Sequence, residues 1–561
     1  MRTCSALVTR SVQAFAIMLV LVCGVAPDAG ARQVDHRGRE FWVTFMPNLG
    51  SAVPSEKSRL KLYLLGDAGT QATITYTASG VTRNVPVPSA NQVVVVDLNS
   101  LFGDSAELDD FTIGNGITSK SFHIQADADV TVVGMNLRSK SADAFLALPV
   151  TALDPHYLVL AYPNGFEAAT GSFDTPSEFA VIAVEDGTRL NVTRPGGIII
   201  NGRPEETFTV NLNRGEVFLG QAQLGGPADL GGTEISADRP VAVFAGTKRA
   251  STPMHLGNYR DHMVEQIIPD KYWKKTVVTA PHHPYARPLD SMTYSVIARE
   301  TTAVSIVSGT KIFDTVLPRR HVLYFSSKDA VRIAASSPVL VARYDPSQIN
   351  AEDPASAPGD PSMSLVPAPE QWDTAYRFVS IPDPDFNVHY MDVIAPHGAV
   401  IMLDGAPLAA TRKNIDDQLE YMQVSLAPGA HRISSSVPIS VMVYGAGRSI
   451  SYAYSAGFLL ERSSSVSVPP VDGAAISLHA APNPVSGNYL NVEMELPGEG
   501  RPHVDIIDAG GAVVLAGAPV SARDAGTGRF EVDITGLPAG VYFCRAADDR
   551  GGYAMVKFVR L

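Results

Sequence analysis

The chain has 561 residues, of which 45% are hydrophobic and 18% are charged, with a formal net charge of −13. This composition is typical of several well-packed domains and excludes an intrinsically disordered chain. The negative charge, without a basic stripe of interleaved aromatic residues, argues against nucleic-acid binding, and no nucleic-acid partner is predicted.

The first 31 residues have the pattern of a secretory signal peptide. Two arginines lie in the first ten residues, residues 14–25 are apolar, and residues 29–31 fit a small-x-small cleavage site. No other segment approaches the ~20 apolar residues of a membrane-spanning helix. The mature chain is therefore predicted to be secreted, without a transmembrane segment. It keeps only Cys544, which is predicted to be a buried, inert thiol.

One phrase recurs three times at a spacing of roughly 100 residues, and such recurrence indicates stacked supersecondary units. It consists of a Val-rich strand, a polar loop, an Asp that opens an apolar stretch closed by Pro, and an aromatic residue that opens the next strand. A fourth Val-rich strand, 438–445, has no such junction after it. The Val-rich strands are 130–134, 241–246 and 339–344, the Asp-to-Pro stretches are 143–149, 261–269 and 360–367, and the aromatic residues are Tyr157, Trp273 and Trp372.

Within each repeat, alternating apolar and polar residues predict short strands joined by tight turns. The second repeat has candidate strands for an immunoglobulin-like sandwich of about seven strands. The predicted fold is all-β, with about four tandem sandwich-like modules of roughly 100 residues and a C-terminal immunoglobulin-like sandwich. A propeller-like closed array with large blades is the alternative. The predicted boundaries are 32–150, 151–260, 261–359 and 360–460 for the modules, 461–474 for a Ser/Pro-rich linker, and 475–561 for the last domain.

Short motifs rich in Pro, Gly and apolar residues occur between the linker and the end of the chain. They include Pro482, Asn483, Pro484, Gly511, Leu537, Pro538, Gly540, Tyr542 and Lys557. In these motifs the segment resembles the C-terminal sorting domain of the type IX secretion system. The resemblance implies export across the outer membrane to the cell surface or the extracellular space, with the secretion machinery as a partner.

The repeats carry a second group of motifs, at residues 38–45, 143–149, 240–246, 261–273 and 360–363. Over most of 38–460 the chain resembles the N-terminal domain of the IgGFc-binding protein family. Animal members are secreted, mucus-associated proteins named for binding the Fc region of immunoglobulin G. The resemblance implies a secreted, β-rich interaction module. The array departs from the family in having no cysteine, and Arg260 stands where one is expected, so antibody binding is not carried over.

The second junction places two carboxylates and an imidazole within five residues, and His282 follows. Clusters of this kind can ligate Zn²⁺, but the other two junctions contain no His. The prediction is therefore structural, with the junction Asp side chains accepting hydrogen bonds from backbone N–H groups. No catalytic, cofactor-binding or metal-binding residue is predicted. The predicted structural residues of the junctions are Asp143, Pro149, Asp261, His262, Glu265 and Asp360.

The junction aromatics Trp273 and Trp372 are predicted to be buried where one module meets the next, with Tyr157 as a smaller counterpart. The alternative is a carbohydrate-stacking platform formed by aromatic residues of the array, namely Trp42, Trp273, Trp372, Tyr63, Tyr157 and Tyr376.

Together these features predict an exported, non-enzymatic binding or adhesion protein of the cell surface, whose ligand is an extracellular protein or glycan. One alternative is a secreted metal-dependent or glycan-directed hydrolase, which would require Asp261, His262, Glu265 and His282 to converge on an open site. Another is a structural component of the surface or matrix.

Overall fold

The computed structural model describes a chain that is almost entirely β and that forms two compact units, one of residues 32–463 and one containing residues 464–561. The predicted signal peptide, nearly all of the linker, and the motif residues Pro482, Asn483, Pro484 and Gly511 lie outside the described residues. No helix in the described part is long and apolar enough to cross a membrane. The described residues are 33–48, 57–104, 106–108, 116–167, 171–254, 259–284, 291–347, 358–461, 477–481, 485–495, 503–508, 513–515, 520–524, 529–547 and 553–560.

The first module shows the plan of all four, in which two sheets share one long strand. Its elements are β1 (Val34–Asp35), β2 (Gly38–Val43), β3 (Arg59–Leu65), β4 (Gln71–Tyr76), β5 (Val81–Pro86), β6 (Val94–Asp97), α1 (Leu98–Phe102), β7 (Ile117–Thr118), β8 (Phe122–Arg138) and β9 (Ser141–Leu146). The first half of β8 pairs with β2 and β4, and β5 is outermost. The second half pairs with β3 and β9, and β6 is outermost. The two sheets enclose a common apolar core.

The burial of the long strand explains the recurring Val-rich phrase. From Phe122 the strand alternates between buried and more exposed residues, whereas from Val130 to Leu137 every residue is buried. A strand covered on both faces has a nearly continuous apolar sequence. The recurring phrase therefore corresponds to the second half of each long strand, which is covered on both faces.

The second and third modules repeat the plan. The second contains β10 (Asp154–Leu158), β11 (Gly165–Glu167), β12 (Ser172–Thr175), β13 (Ser177–Ala183), β14 (Thr188–Thr193), β15 (Thr207–Leu212), β16 (Val217–Gln221), β17 (Glu234–Ala250) and β18 (Asp261–Gln266). The third contains β19 (Lys274–Thr279), β20 (Met292–Ala298), β21 (Thr302–Ser308), β22 (Lys311–Leu317), β23 (Val322–Ser327), β24 (Val331–Tyr344) and β25 (Met363–Leu365). Their long strands are β17 and β24.

The fourth module follows the same order of pairing around its long strand, β32. Its strands are β26 (Asp373–Ser380), β27 (Phe386–Pro396), β28 (Ile401–Leu403), β29 (Ala406–Pro407), β30 (Lys413–Asn414), β31 (Leu419–Ser425), β32 (Gly429–Gly447), β33 (Ile450–Ser455) and β34 (Leu459–Glu461). Short 3-10 helices precede the second, third and fourth modules, at Val150–Ala152, Asp270–Tyr272 and Pro369–Gln371.

Two module boundaries differ from those expected from the sequence. Strand β18 pairs with β17 and strand β25 pairs with β24, so each Asp-to-Pro stretch closes the module before it. The boundaries expected at 261 and 360 therefore lie just before a closing strand rather than after it. The fourth module also has a closing strand, β33, which pairs with β32 although no Asp-to-Pro stretch follows the fourth Val-rich strand.

The four modules form a closed ring. Closing strand β9 contacts β18 and β33, and β25 contacts the same two strands, so the closing strands surround the centre of the unit. The ring is completed where β1, at the start of the first module, pairs with β34, at the end of the fourth. The predicted all-β fold of repeated sandwich modules is confirmed, and these sandwiches assemble as a closed array.

The C-terminal unit is a separate sandwich. Its strands are β35 (Ser477–Ala481), β36 (Tyr489–Glu495), β37 (His503–Asp508), β38 (Val513–Leu515), β39 (Val520–Asp524), β40 (Arg529–Asp533), β41 (Gly540–Ala547) and β42 (Tyr553–Arg560). They form two four-stranded sheets, in the orders β35-β36-β40-β39 and β38-β37-β41-β42. Cys544 is buried in the core between them, and desolvation raises the pKa of its thiol to about 12.

Among the sorting-motif residues that the structure describes, Leu537 packs against this core, and the Tyr542 hydroxyl donates a hydrogen bond to the carbonyl oxygen of Pro538 at 2.9 Å. Gly540 opens β41, and Lys557 lies in β42 opposite Phe543.

Candidate functional site

The first junction carboxylate, Asp143, lies at the centre of the ring and bonds to all three other modules. Its Oδ2 accepts hydrogen bonds from the N–H groups of Val264 in β18, at 3.1 Å, and Met363 in β25, at 3.0 Å. Its Oδ1 is 3.4 Å from the N–H of Ala453 in β33. Because a closing strand pairs on one side only, its other edge has N–H groups that need acceptors. Asp143 supplies them from a neighbouring strand.

The next junction uses its carboxylates in the same way. Asp261 Oδ1 accepts from the N–H of Ala142 in β9 at 2.6 Å. Glu265 Oε1 accepts from the N–H of Leu365 in β25 at 3.2 Å, and the neighbouring Gln266 accepts from the N–H of Leu148 at 2.8 Å. These side chains therefore join three modules by accepting hydrogen bonds from backbone N–H groups. Asp261 and Glu265 were among the structural junction residues predicted from the sequence, whereas Gln266 was not.

Burial shifts the pKa of these groups. Desolvation raises the pKa of Asp143, Asp261 and Glu265 well above the ordinary carboxyl range, and Asp360 adds a like charge near Asp261. Desolvation also lowers the pKa of His262 to about 4, so its imidazole is neutral near pH 7. Its Nδ1 lies 3.3 Å from the carbonyl oxygen of Lys248.

The two remaining junction residues are also buried within the ring. Asp360 is 3% exposed, and its backbone carbonyl oxygen accepts a hydrogen bond from the hydroxyl of Ser451 in β33. Pro149 forms an isolated bridge with Phe41 and lies against Gly38, where a side chain would collide with its ring.

His282 does not join the Asp261 cluster but belongs to a second buried group between the third and fourth modules. Its Nδ1 lies 2.7 Å from Asp345, and its ring contacts Arg343. The Arg343 guanidinium is 3.3 Å from Asp392, which also accepts a hydrogen bond from the Tyr444 hydroxyl at 2.6 Å. The two clusters are thus separate, and no group of three His, Cys, Asp or Glu side chains with the spacing of a metal site occurs within the described ranges.

The charged partners of His282 were not identified from the sequence, because they are distant from it along the chain. Arg343 lies near the end of β24, Asp345 directly follows that strand, and Asp392 lies in β27. Desolvation lowers the pKa of His282 to about 4 and raises that of Asp392 to about 7. A charged residue inside a Val-rich strand, such as Arg343 in β24, is the signal that could have indicated a buried ion pair.

The junction tryptophans are buried and make equivalent contacts. Trp273 and Trp372 are 4% and 3% exposed, and each indole N–H donates to a carbonyl oxygen five residues earlier, at 3.0 and 3.2 Å. Trp372 packs against Val278 and Ala280 of the third module and against Ile394 and Leu419 of the fourth.

Tyr157 has a different counterpart from the one expected. Its hydroxyl donates to the carbonyl oxygen of Val241 at 2.7 Å, as the hydroxyl of Tyr376 does to Ile439. Pairing register places Leu153, rather than Tyr157, at the position of the two tryptophans.

An open cleft lies between the first and fourth modules, near the β1–β34 pair. It has a volume of about 780 Å³. Its charged lining consists of Asp35, Arg37, Asp67, Asp129, Arg377 and Arg432. These residues come from distant parts of the sequence, so no local motif marks the cleft.

Two of the three cleft arginines are paired with aspartates. Arg37 is 2.5 Å from Asp35, and Arg377 is 2.6 Å from Asp67 across the two modules. Arg432, on β32, is exposed, and its guanidinium makes no hydrogen bond or ion pair with the described residues. Its backbone is engaged by Asp404, whose carboxylate accepts from the Arg432 N–H and whose own N–H donates to the Arg432 carbonyl oxygen, both at 2.8 Å. Arg432 is therefore available to an anionic group that enters the cleft.

Comparison with protein families gives two matches. The model of the IgGFc binding protein family matches residues 143–445, and the model of the secretion system C-terminal sorting domain matches residues 480–559. The human IgGFc-binding protein (Homo sapiens) is 24% identical over 451 residues, which are 78% of this chain and 8% of the human protein. The chain thus spans a small part of that relative.

Two solved structures are similar at low identity. A tetra-tandem repeat from the extending region of a large adhesion protein is 13% identical, with coverage of 68% of this chain and 93% of that chain and a TM-score of 0.13. The N-terminal eight Ig domains of Down Syndrome Cell Adhesion Molecule are 10% identical, with coverage of 93% and 69% and a TM-score of 0.11. These scores are too low to support an argument, and the fold assignment rests on the strand pairing.

Proposed function

Because the chain belongs to the IgGFc-binding protein family and carries a sorting domain for type IX secretion to the cell surface or extracellular space, we propose that it is a non-enzymatic binding or adhesion protein. The cleft between the first and fourth modules is the observation that carries the proposal. It offers a charged, solvent-accessible surface, whereas the carboxylates of the junctions are engaged by backbone groups inside the ring.

The cleft fits a ligand with an acidic group. A guanidinium binds carboxylate, sulfate or phosphate oxygens with two parallel hydrogen bonds. Arg432 provides such a group, while the Arg37–Asp35 and Arg377–Asp67 pairs hold the walls of the cleft. An acidic glycan or an acidic protein surface would supply this chemistry, and the experiment below separates the two.

The Fc region of immunoglobulin G is one protein ligand to include, because the human relative is named for binding it. One difference from the family lies near the second junction, where Arg260 replaces an expected cysteine. Arg260 is 2% exposed, and its guanidinium is 2.5 Å from Asp174. An Arg260–Asp174 ion pair therefore stands where the family is expected to have a cysteine. Fc binding would require the surface around this ion pair to have the same shape as in the family.

The test is a binding screen of the purified secreted protein against acidic glycans, neutral glycans, extracellular proteins and immunoglobulin Fc. For any ligand found, Arg432→Ala should weaken binding about 10- to 100-fold, as expected for the loss of hydrogen bonds to a charged group. Arg189→Ala is the matched control, because Arg189 is also exposed and lies on β14, away from the cleft.

Equal affinities for the two variants would place the ligand elsewhere on the protein. Binding of no ligand, or chemical turnover of a bound glycan or peptide, would contradict the proposed function. Binding should also weaken with rising ionic strength, because the pairing of Arg432 with an anion is screened by salt.

A further inference from the structure

Strand β22 is an exposed sheet edge with an unusual number of apolar side chains. It is the outermost strand of the third module and pairs with β21 on one side, and no second pairing is recorded within the described residues. Ile312, Phe313 and Val316 are 68%, 51% and 64% exposed. Because every second peptide group of an outermost strand points away from the sheet, its N–H and C=O groups are free to pair with another strand.

The corresponding strands of the other modules are protected against such pairing. Strand β5 presents Thr82, Arg83 and Asn84 to solvent and ends in Pro86, and β29 has two residues. Strand β15 alternates regularly, so its apolar residues face the core. Charged residues, proline and short length are the devices that prevent edge-to-edge association. Strand β22 spans Lys311–Leu317 without a proline, and its charged residues are Lys311 at the first position and Asp314 among the exposed apolar ones.

We propose that β22 pairs antiparallel with β22 of a second copy of this chain. The sequence of the strand fits its own two-fold image centred on Asp314. In that register Ile312 lies opposite Val316 of the second copy, and Phe313 lies opposite Thr315. Both are combinations of β-branched or aromatic residues that stabilise adjacent antiparallel strands. A two-fold contact of this kind is closed, so it gives a dimer and not a fibre.

Asp314 limits the strength of the contact. It lies on the two-fold axis opposite its own copy, and like charges directly opposite one another destabilise a pair of strands. The same residue therefore acts as a control on self-association, which would be stronger without its charge. The inference rests on the strand edge and is independent of the cleft and its ligand.

The experiment is sedimentation velocity of the purified secreted protein over a range of concentrations. The parent protein should dimerise reversibly, and Asp314→Asn should raise the association constant by up to about fivefold, the effect of removing one like-charge pair. The double substitution Ile312→Lys with Val316→Lys should abolish the dimer at concentrations where the parent forms it, because it places two ammonium groups on each edge. Both positions are exposed, so the fold should persist, as circular dichroism and thermal unfolding can check.

The matched control is Asn84→Lys, at an exposed position on β5 of the first module, which should leave the association constant unchanged. Three results would overturn the proposal. They are a protein that remains monomeric together with Asp314→Asn, an association that survives the double Lys substitution, or an Asn84→Lys protein that loses association as well. Failure of ligand binding at the cleft would leave this result unaffected.

Discussion

Replacing Asp143 should loosen the ring as a whole, because this carboxylate bonds to the closing strands of the three other modules. Asp143→Ala removes the acceptor for the N–H groups of Val264 and Met363, at 3.1 and 3.0 Å, and the longer contact to Ala453. A buried donor left without a partner costs about 1–3 kcal/mol. Two such groups would cost about 4 kcal/mol, and relief of the cost of burying the carboxyl offsets part of this. We expect a net loss of about 3 kcal/mol in the free energy of unfolding.

Asp143→Asn is the more conservative change and should cost less, about 1–2 kcal/mol, because one oxygen remains as an acceptor while the amide turns a donor toward the other N–H groups. The exposed Asp127, which accepts a hydrogen bond from the N–H of Gln71 at 2.9 Å, is the control. Asp127→Ala should change stability by less than about 1 kcal/mol, since water can replace the lost acceptor.

The assay combines denaturant unfolding with hydrogen exchange measured by mass spectrometry. Faster exchange should appear in β18, β25 and β33 together in Asp143→Ala, although these strands belong to three different modules. A loss of protection confined to the first module, or a free-energy change as small as that of Asp127→Ala, would refute the bridging role of this side chain.

Four further outcomes are expected. Trp372→Ala should lower the free energy of unfolding by about 3–5 kcal/mol and speed hydrogen exchange in both β19 and β27. Trp372→Leu should lower it less, since Leu153 fills this position in the second module. Faster exchange in the fourth module alone would contradict packing at the interface. Burial lowers the folded-state pKa of His262 to about 4 from 6.5. The stability contributed by the neutral imidazole is therefore full above pH 6.5 and is lost as pH falls toward 4, by up to about 3 kcal/mol. The free energy of unfolding of His262→Gln should fall less steeply over this pH range, and parallel pH curves for the two proteins would contradict this prediction. Deletion of residues 475–561 should leave the ring folded but retained inside the cell envelope, and surface display of the truncated chain in protease-shaving experiments would contradict the sorting role. EDTA should leave the melting temperature nearly unchanged, because no structural metal is expected. An ion bound tightly to the folded protein, at a thousandfold excess over its Kd, would contribute about 4 kcal/mol, so a fall of many degrees in EDTA would reveal a structural metal.

Residues buried on both faces were the part of the fold most visible in the sequence. The second halves of the long strands give nearly continuous apolar runs, and the closing strands β9 and β18 each contain the Asp that begins an Asp-to-Pro stretch. Together these two features formed the recurring phrase. Strand β33 was missed because it alternates Ser, Tyr and Ala and lacks the flanking Asp and Pro. The boundary at 261 was misplaced because Asp and Pro punctuate a closing strand in the way they punctuate a linker.

Closure of the ring and the cleft could not be read from local patterns. The pair that completes the ring consists of the short strands β1 and β34, which are too short to give a periodic signal. The cleft brings Arg37, Arg377 and Arg432 together from opposite ends of the array, and their proximity follows only from that closure. Local sequence thus predicts what each module is, while the contacts between modules decide which polar residues are buried and which remain open to a ligand.

Joining the two ends of the array also imposes an order on folding. The contact between His36 and Phe458 spans 422 residues, so the last partner of the first module is made after the other modules have been synthesised. The entropy of closing a loop grows only as the logarithm of its length, and a loop about four times longer than one module costs about 1 kcal/mol more to close. The penalty is therefore mainly kinetic. Until β34 has been synthesised and pairs with β1, the edge of the first module stays exposed to solvent. A chaperone would protect the folding chain most during this interval.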